Sequence, residues 1–234
     1  MPFHGNHIIV IIPAFNEEKS ISKVINAIPN FVDEIIVIDN GSSDSTPTEA
    51  SISGAKVLTE KRKGYGYACL KGINYLIKRP PDILVFLDGD YSDYPEELET
   101  VVKPIVEKKV HFVIGARVKP LCEKGALTPQ QIYGNALACF LMRVLYRSKF
   151  TDLGPFRAID WKSLLTLDMS DKTYGWTIEM QLKILRRKIK YIEVPVRYRK
   201  RIGISKVSGT IKGTIMAGYK ILTWIGKFYF SRWK

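Results

Sequence analysis

Short apolar runs and stretches of helical period alternate along the first half of the chain. His7 to Ile12 reads as a strand stopped by Pro13, and Glu17 to Ile28 as a helix that ends before Pro29. Glu34 to Asp39 is the next strand. The polar loop Asn40-Gly41-Ser42-Ser43-Asp44 follows, then a helix with Pro47 just inside its start, where a missing N–H costs little. Ala55 to Thr59 predicts a short strand, Gly66 to Lys78 a helix stopped by Pro80-Pro81, and Ile83 to Leu87 a fourth strand. Asp93 and Glu96 have the spacing of a capping box, with Pro95 in the first turn of a helix running to about Lys108, and Phe112 to Gly115 is a fifth strand. This alternation predicts an α/β fold with a mostly parallel, doubly wound, Rossmann-like sheet flanked by helices.

The second half is less regular. It predicts a helix over Pro129 to Tyr146, a strand or loop over Thr151 to Ile159, a helix over Tyr174 to Arg187 and a strand over Ile189 to Tyr198. A Gly- and Lys-containing loop, Arg199 to Gly209, leads into a last helix. A chain of 234 residues with 46% hydrophobic content suits one α/β-sized unit. The division expected is a body over residues 1–209 and a terminal amphipathic helix over 210–234.

Composition narrows the setting. No signal peptide is expected, since Ile8 to Ile12 is too short for an h-region, and no stretch has the apolar length of a spanning helix. Cys69, Cys122 and Cys139 are widely spaced and read as buried or free thiols of a reducing compartment. Charge is split unevenly. Residues 1–117 carry 13 Lys/Arg against 16 Asp/Glu, and residues 118–234 carry 23 against 7. The acidic half can host a cation, and the basic half calls for an anionic partner such as nucleic acid, anionic lipid or a phosphorylated substrate. No recognisable nucleic-acid module is present, and a binder of that kind would leave the carboxylates described next unexplained.

Asp88-Gly89-Asp90 follows directly on the Ile83–Leu87 strand. Two carboxylates two residues apart at a strand's carboxyl end can reach one hard cation, Mg²⁺ or Mn²⁺, held jointly with substrate phosphates. Ligands of open α/β sheets bind at that edge. Pro13-Ala14-Phe15-Asn16-Glu17 leaves the first strand at the same edge, where Phe15 could stack on a base and Asn16 or Glu17 could bond base or ribose. Asp39 leaves the second strand there too and could accept an imide N–H. Lys63-Gly64-Tyr65-Gly66 partly imitates a phosphate-binding glycine loop, but Cys69 stands where a third glycine belongs, which excludes a dinucleotide fingerprint.

The ordered segments "IIPAFNEE", "VIDNGSSDST", "GYGYACLKG", "FLDGDYSDYPEE", "IGAR", "TDLGPFRAI" and "YGWTIEMQLKILRRKIKYIEVPVRYRKRIGISK" together resemble the family 2 glycosyltransferases of GT-A fold. The subgroup they resemble is the polyprenyl-phosphate (dolichyl-phosphate) sugar synthases. The resemblance implies an inverting transfer from a UDP- or GDP-sugar to a lipid phosphate. Carried over, it places Pro13, Phe15, Glu17, Asp39, Lys63, Asp88, Gly89 and Asp90 at the nucleotide-sugar, with Asp88 and Asp90 on the metal. Arg117 would face the acceptor phosphate, Asp152 would be an active-site acid, and Arg201 and Lys206 would clamp phosphates. The chain departs from the subgroup at Asp39-Asn40, where two aspartates are usual, and at Tyr91-Ser92-Asp93, where a Gln is usual. A hydroxyl acceptor, saccharide or glycolipid, is the alternative for the same donor site.

In the terminal helix, Ile211 to Phe230, the residues Lys212, Lys220 and Lys227 share one side, with Ile211, Ile215, Tyr219, Leu222, Ile225 and Tyr229 opposite. Such a helix can lie in an anionic membrane surface. The expected location is cytoplasmic, peripheral on the cytoplasmic face of a membrane. A homo-oligomer or a membrane-anchored partner is left open.

Overall fold

A computed structural model describes residues 3–203 and 211–231. Seven strands, β1 (Ile8–Ala14), β2 (Glu34–Asp39), β3 (Lys56–Thr59), β4 (Ile83–Phe86), β5 (Phe112–Cys122), β6 (Arg157–Asp160) and β7 (Tyr191–Tyr198), form one sheet in the order β3-β2-β1-β4-β6-β5-β7. All neighbours pair in parallel except β6, which runs antiparallel between β4 and β5. This reversal decides the site. The carboxyl ends of β1, β2, β4, β5 and β7 open on one edge, and the chain entering β6 arrives at that same edge.

Period-two alternation covers both faces of the sheet. Ile9 and Ile11 of β1 point into one buried cluster with Phe86, Phe112 and Trp176, while Ile8, Val10 and Ile12 point into the other with Val85 and Val113. The second cluster is closed by α1 (Ile21–Ala27), α2 (Thr46–Ile52) and α4 (Leu98–Val106). The first is closed by α3 (Tyr65–Leu76), α5 (Pro129–Tyr146), α6 (Trp161–Leu167), α7 (Trp176–Arg186) and α8 (Ile211–Phe230).

Several expectations are corrected. The first helix begins at Ile21, not Glu17, because Asn16 takes a left-handed turn with φ 54°. Asp93 and Glu96 form no capping box. One 3-10 turn, Pro95–Glu97, precedes α4, and the Asp93 carboxylate makes no hydrogen bond. Its backbone is instead held extended by a bridge to Tyr198. α6 carries no signal of its own beyond the Asp160 side chain, which accepts from Ser163 N–H, and it starts where β6 ends with no intervening turn. α5 matches its expected bounds, with Thr128 and Gln131 forming a true capping box.

α8 packs on α5 and α7, sinking Ile225 and Phe228 into the core. Lys220 therefore does not face outward but pairs with the buried Asp171 carboxylate at 3.3 Å. No helix among the described residues is long and apolar enough to cross a membrane. The three cysteines are free, with Cys69 and Cys139 buried.

Candidate active site

A cleft of about 420 Å³ lies at the carboxyl edge, lined by Pro13, Phe15, Glu17, Lys63, Asp88, Gly89, Asp90 and Arg201, together with Asn40, Gly64, Tyr65 and Tyr174. Loops after β1, β2 and β4 build its floor. Asn16 N–H donates to Ser42 Oγ at 2.9 Å, its side-chain oxygen accepts from Ser43 N–H at 2.8 Å, and Glu17 N–H donates to Thr46 Oγ1 at 2.8 Å. Asp39 is buried and accepts from Ser42 N–H at 3.0 Å, so it shapes this loop and does not line the cleft.

Asn40 pins the loop that follows β3 through its side-chain amide. Its amide donates to the carbonyls of Glu60 and Arg62 at 3.0 and 2.7 Å and its oxygen accepts from Gly64 N–H at 2.8 Å. A carboxylate has no hydrogens for two carbonyls. The loop so held carries Lys63, whose ammonium donates to the Gly41 carbonyl at 2.7 Å and sits 3.8 Å above the Phe15 ring. The ring face expected for a base is covered by this cation.

The acidic centre is Asp88 and Asp90. Asp90 accepts from Ser92 N–H and Oγ–H at 2.9 and 2.5 Å. Asp88 Oδ1 is shut off from water and has no partner. Burial, then the charge of Asp90, pushes the Asp88 carboxyl up to about 7. Arg201 reaches in from beyond β7, with Nη1 3.1 Å from Asp90 and Nη2 2.9 Å from Glu17. No group of three or more metal-type side chains exists among the described residues. A carboxylate pair with one orphaned buried oxygen is nonetheless the donor set that a hard cation shares with phosphates.

A second group stands beside the cleft. Arg117, at the end of the buried part of β5, donates to Asp152 through its backbone N–H, Nε and Nη2 at 2.9, 2.8 and 2.7 Å. Burial works against its charge, but Asp152 raises its pKa above the ordinary guanidinium value. Asp152 is held in turn. Its N–H and that of Thr151 donate to Glu193, its carbonyl accepts from Gln181 Nε2 at 2.9 Å, and Asn135 of α5 bonds both neighbours. The structure thus joins the two residues expected separately, Arg117 and Asp152, into one bidentate pair. Lys206 lies outside the described residues.

Sequence reasoning passed over Tyr65, Arg157, Asp93 and Asp171. Arg157 is wholly buried behind the cleft, donating to the carbonyls of Leu153, Gly154 and Thr177, and burial lowers it to about 10. The visible signal was an Arg set among the apolar residues Phe156, Ala158 and Ile159. Asp93 is buried with both oxygens unpartnered, and burial, followed by the charges of Asp88 and Asp90, lifts it well above the usual carboxylate range.

The sequence model of glycosyl transferase family 2 matches residues 9–199, from β1 to the far side of β7. The chain belongs to that family. This family 2 glycosyltransferase is 31% identical to an uncharacterized glycosyltransferase of Mycobacterium tuberculosis over 91% of this chain and 95% of that one. It is 28% identical to the UDP-N-acetylglucosamine–dolichyl-phosphate N-acetylglucosaminyltransferase of Methanococcus voltae, covering 92% of each. It is 27% identical to the undecaprenyl-phosphate mannosyltransferase of Micrococcus luteus, over 88% of this chain and 89% of that one. Among solved structures, glucosyl-3-phosphoglycerate synthase from Mycobacterium tuberculosis, in complex with Mn²⁺, UDP and phosphoglyceric acid, superposes with a TM-score of 0.78 at 23% identity, over 96% of this chain and 79% of that one. The glycosyltransferase therefore has the GT-A fold.

Proposed function

We propose that this glycosyltransferase moves a sugar from a UDP- or GDP-sugar, with Mg²⁺ or Mn²⁺, onto a polyprenyl phosphate at an anionic membrane surface. The observation that carries the acceptor is the outer side of α5 and α8. Ile132, Tyr133, Leu137, Phe140 and Val144 of α5, and Ile215, Tyr219, Leu222 and Phe230 of α8, are each between 47% and 75% exposed. Neither helix contains an acidic residue, and the two pack together, with Tyr146 Oη–H donating to the Ile225 carbonyl. Exposed apolar surface on this scale marks a lipid or protein contact. α5 is also the helix whose Asn135 bonds the loop of Asp152, so the helix that carries the apolar side is tied to the Arg117 pair.

The geometry supports the following reading of the roles. Asp88 and Asp90 would hold the cation, which when bound neutralises charge on the departing diphosphate. Arg201 would exchange its carboxylate partners for that diphosphate, and Lys63 would exchange the Gly41 carbonyl for the diphosphate's outer oxygens. A phosphate acceptor is largely ionised near neutral pH, so it needs cations more than a base. Arg117, kept charged and aimed by Asp152, supplies one.

Relatives named for lipid phosphates and a structural neighbour solved with phosphoglyceric acid support different acceptors. The test offers labelled UDP- and GDP-sugars with short polyprenyl phosphates, Mg²⁺ or Mn²⁺, and Asp90→Ala as control. Label entering the organic phase, absent in the control and abolished by chelation, is the expected result. Metal-dependent nucleotide binding with no lipid-phase label would overturn the lipid acceptor in favour of a hydroxyl one.

A further inference from the structure

Three glycines close on one strap. A Cβ on Gly64 would lie 2.2 Å from the Lys172 carbonyl oxygen and one on Gly66 2.0 Å from that of Asp171. A Cβ on Gly175 would lie 2.4 Å from Trp224 Nε1 and 2.5 Å from Asp171 Oδ2. Segment 171–175 is therefore pressed between the start of α3, one wall of the cleft, and α8, with no room for a methyl group on either side. Tyr67 N–H also donates to the Lys172 carbonyl at 3.1 Å, and Tyr174 lines the cleft itself.

Asp171 is 4% exposed and divides its two oxygens between these neighbours. Oδ1 accepts from Thr173 and Gly175 N–H at 2.8 and 3.0 Å, which shapes the turn bearing Tyr174. Oδ2 accepts from Trp224 Nε1 at 2.8 Å and from Lys220 Nζ at 3.3 Å, both on α8. Glu179 fixes the base of the strap by accepting from Ser170 and Asp171 N–H at 2.9 and 2.7 Å. Burial opposes the Asp171 charge, but Trp224, Thr173, Lys220 and Gly175 hold its pKa below the usual value.

We propose that Asp171 is a positioning residue for the donor site, tying Trp224 and Lys220 of α8 to the cleft wall of Gly64, Tyr65 and Tyr174, so that nucleotide affinity depends on that contact. The inference rests on reading the cleft as the donor site. The outer side of α8 is its exposed apolar one, and a contact there that draws Trp224 and Lys220 away from Asp171 changes donor binding by the same linkage.

The link can be cut from both ends. Asp171→Asn keeps an oxygen for Thr173 and Gly175 but turns an NH₂ toward Trp224 and Lys220, which have only hydrogens to offer. Trp224→Phe removes the same bond from α8. UDP and GDP binding in Mg²⁺ is measured by calorimetry on the full chain, with Ile225→Ala as a variant that empties a core position of α8 elsewhere. Each single variant is expected to weaken the Kd about five- to tenfold, and the double variant no further. The nucleotide-sugar KM rises while kcat changes by less than about twofold. Ile225→Ala lowers Tm at least as much with Kd unchanged. An unchanged Kd in both single variants, or equal weakening in Ile225→Ala, overturns the inference. A wild-type chain that binds neither nucleotide overturns the donor-site reading and the inference with it.

Discussion

Replacing Asp88 by Asn should make the metal-free protein more stable at pH 8 while abolishing transfer. The carboxyl has one oxygen sealed from water without a partner, and burial and Asp90 push it up to about 7, against an ordinary value of 3.8 in the unfolded chain. Between these values the folded protein keeps a proton that the unfolded chain has released. The contribution of Asp88 is therefore fully present below about pH 4, falls as pH rises, and is lost above about pH 7. A separation of roughly 3 pKa units at about 1.4 kcal/mol each gives about 4 kcal/mol, and water entering through the cleft reduces this toward about 2 kcal/mol. Against a total stability of about 5–15 kcal/mol that is readily measured. Urea unfolding of wild type and Asp88→Asn, without metal, at pH 5 and pH 8 is the assay. The variant should be more stable at pH 8 by about 2–4 kcal/mol and by less than about 2 kcal/mol at pH 5. A variant destabilised equally at both pH values would refute the reasoning, since it would mean the native carboxylate is well solvated.

Arg201→Ala frees Asp90 from its 3.1 Å partner, so Mn²⁺ binding without nucleotide, followed by electron paramagnetic resonance, should tighten about tenfold while transfer falls at least about a hundredfold. Weaker Mn²⁺ binding would show that Arg201 does not compete for Asp90. Asp152→Ala strands the buried Arg117 and should cost about 3–5 kcal/mol in thermal unfolding, whereas Asp152→Leu with Arg117→Met should recover most of that and remain inactive. Gly66→Ala, normally favourable in a helix by up to about 1 kcal/mol, should instead destabilise by about 1–3 kcal/mol because its Cβ would meet the Asp171 carbonyl at 2.0 Å. Gly134→Ala in α5, with nothing within 4 Å of its Cβ, should show the ordinary gain.

The order of strands and helices in residues 7–117 was legible because each strand is a short apolar run with a breaker after it, and burial on both faces demands that pattern. The same pattern put Pro13, Phe15, Asp39 and Asp88 at strand ends, where the edge of an α/β sheet binds ligands. What the sequence left open are relations between distant residues. Nothing local says that β6 runs antiparallel, yet that reversal brings Asp152 beside Arg117 across 35 positions. Nothing local says that Arg201 reaches Glu17 across 184 positions, or that the Asp93 carboxylate is buried without a partner near Asp88 and Asp90. The glycines of "GYGYACLKG" looked like a phosphate loop, but two of them make room for the backbone of Asp171 and Lys172. The lysines of α8 looked like one polar side, but Lys220 found a buried carboxylate. Periodicity reports which side of an element is apolar. Which partner fills a given space, and which charge a buried group meets there, is decided only when the chain has packed.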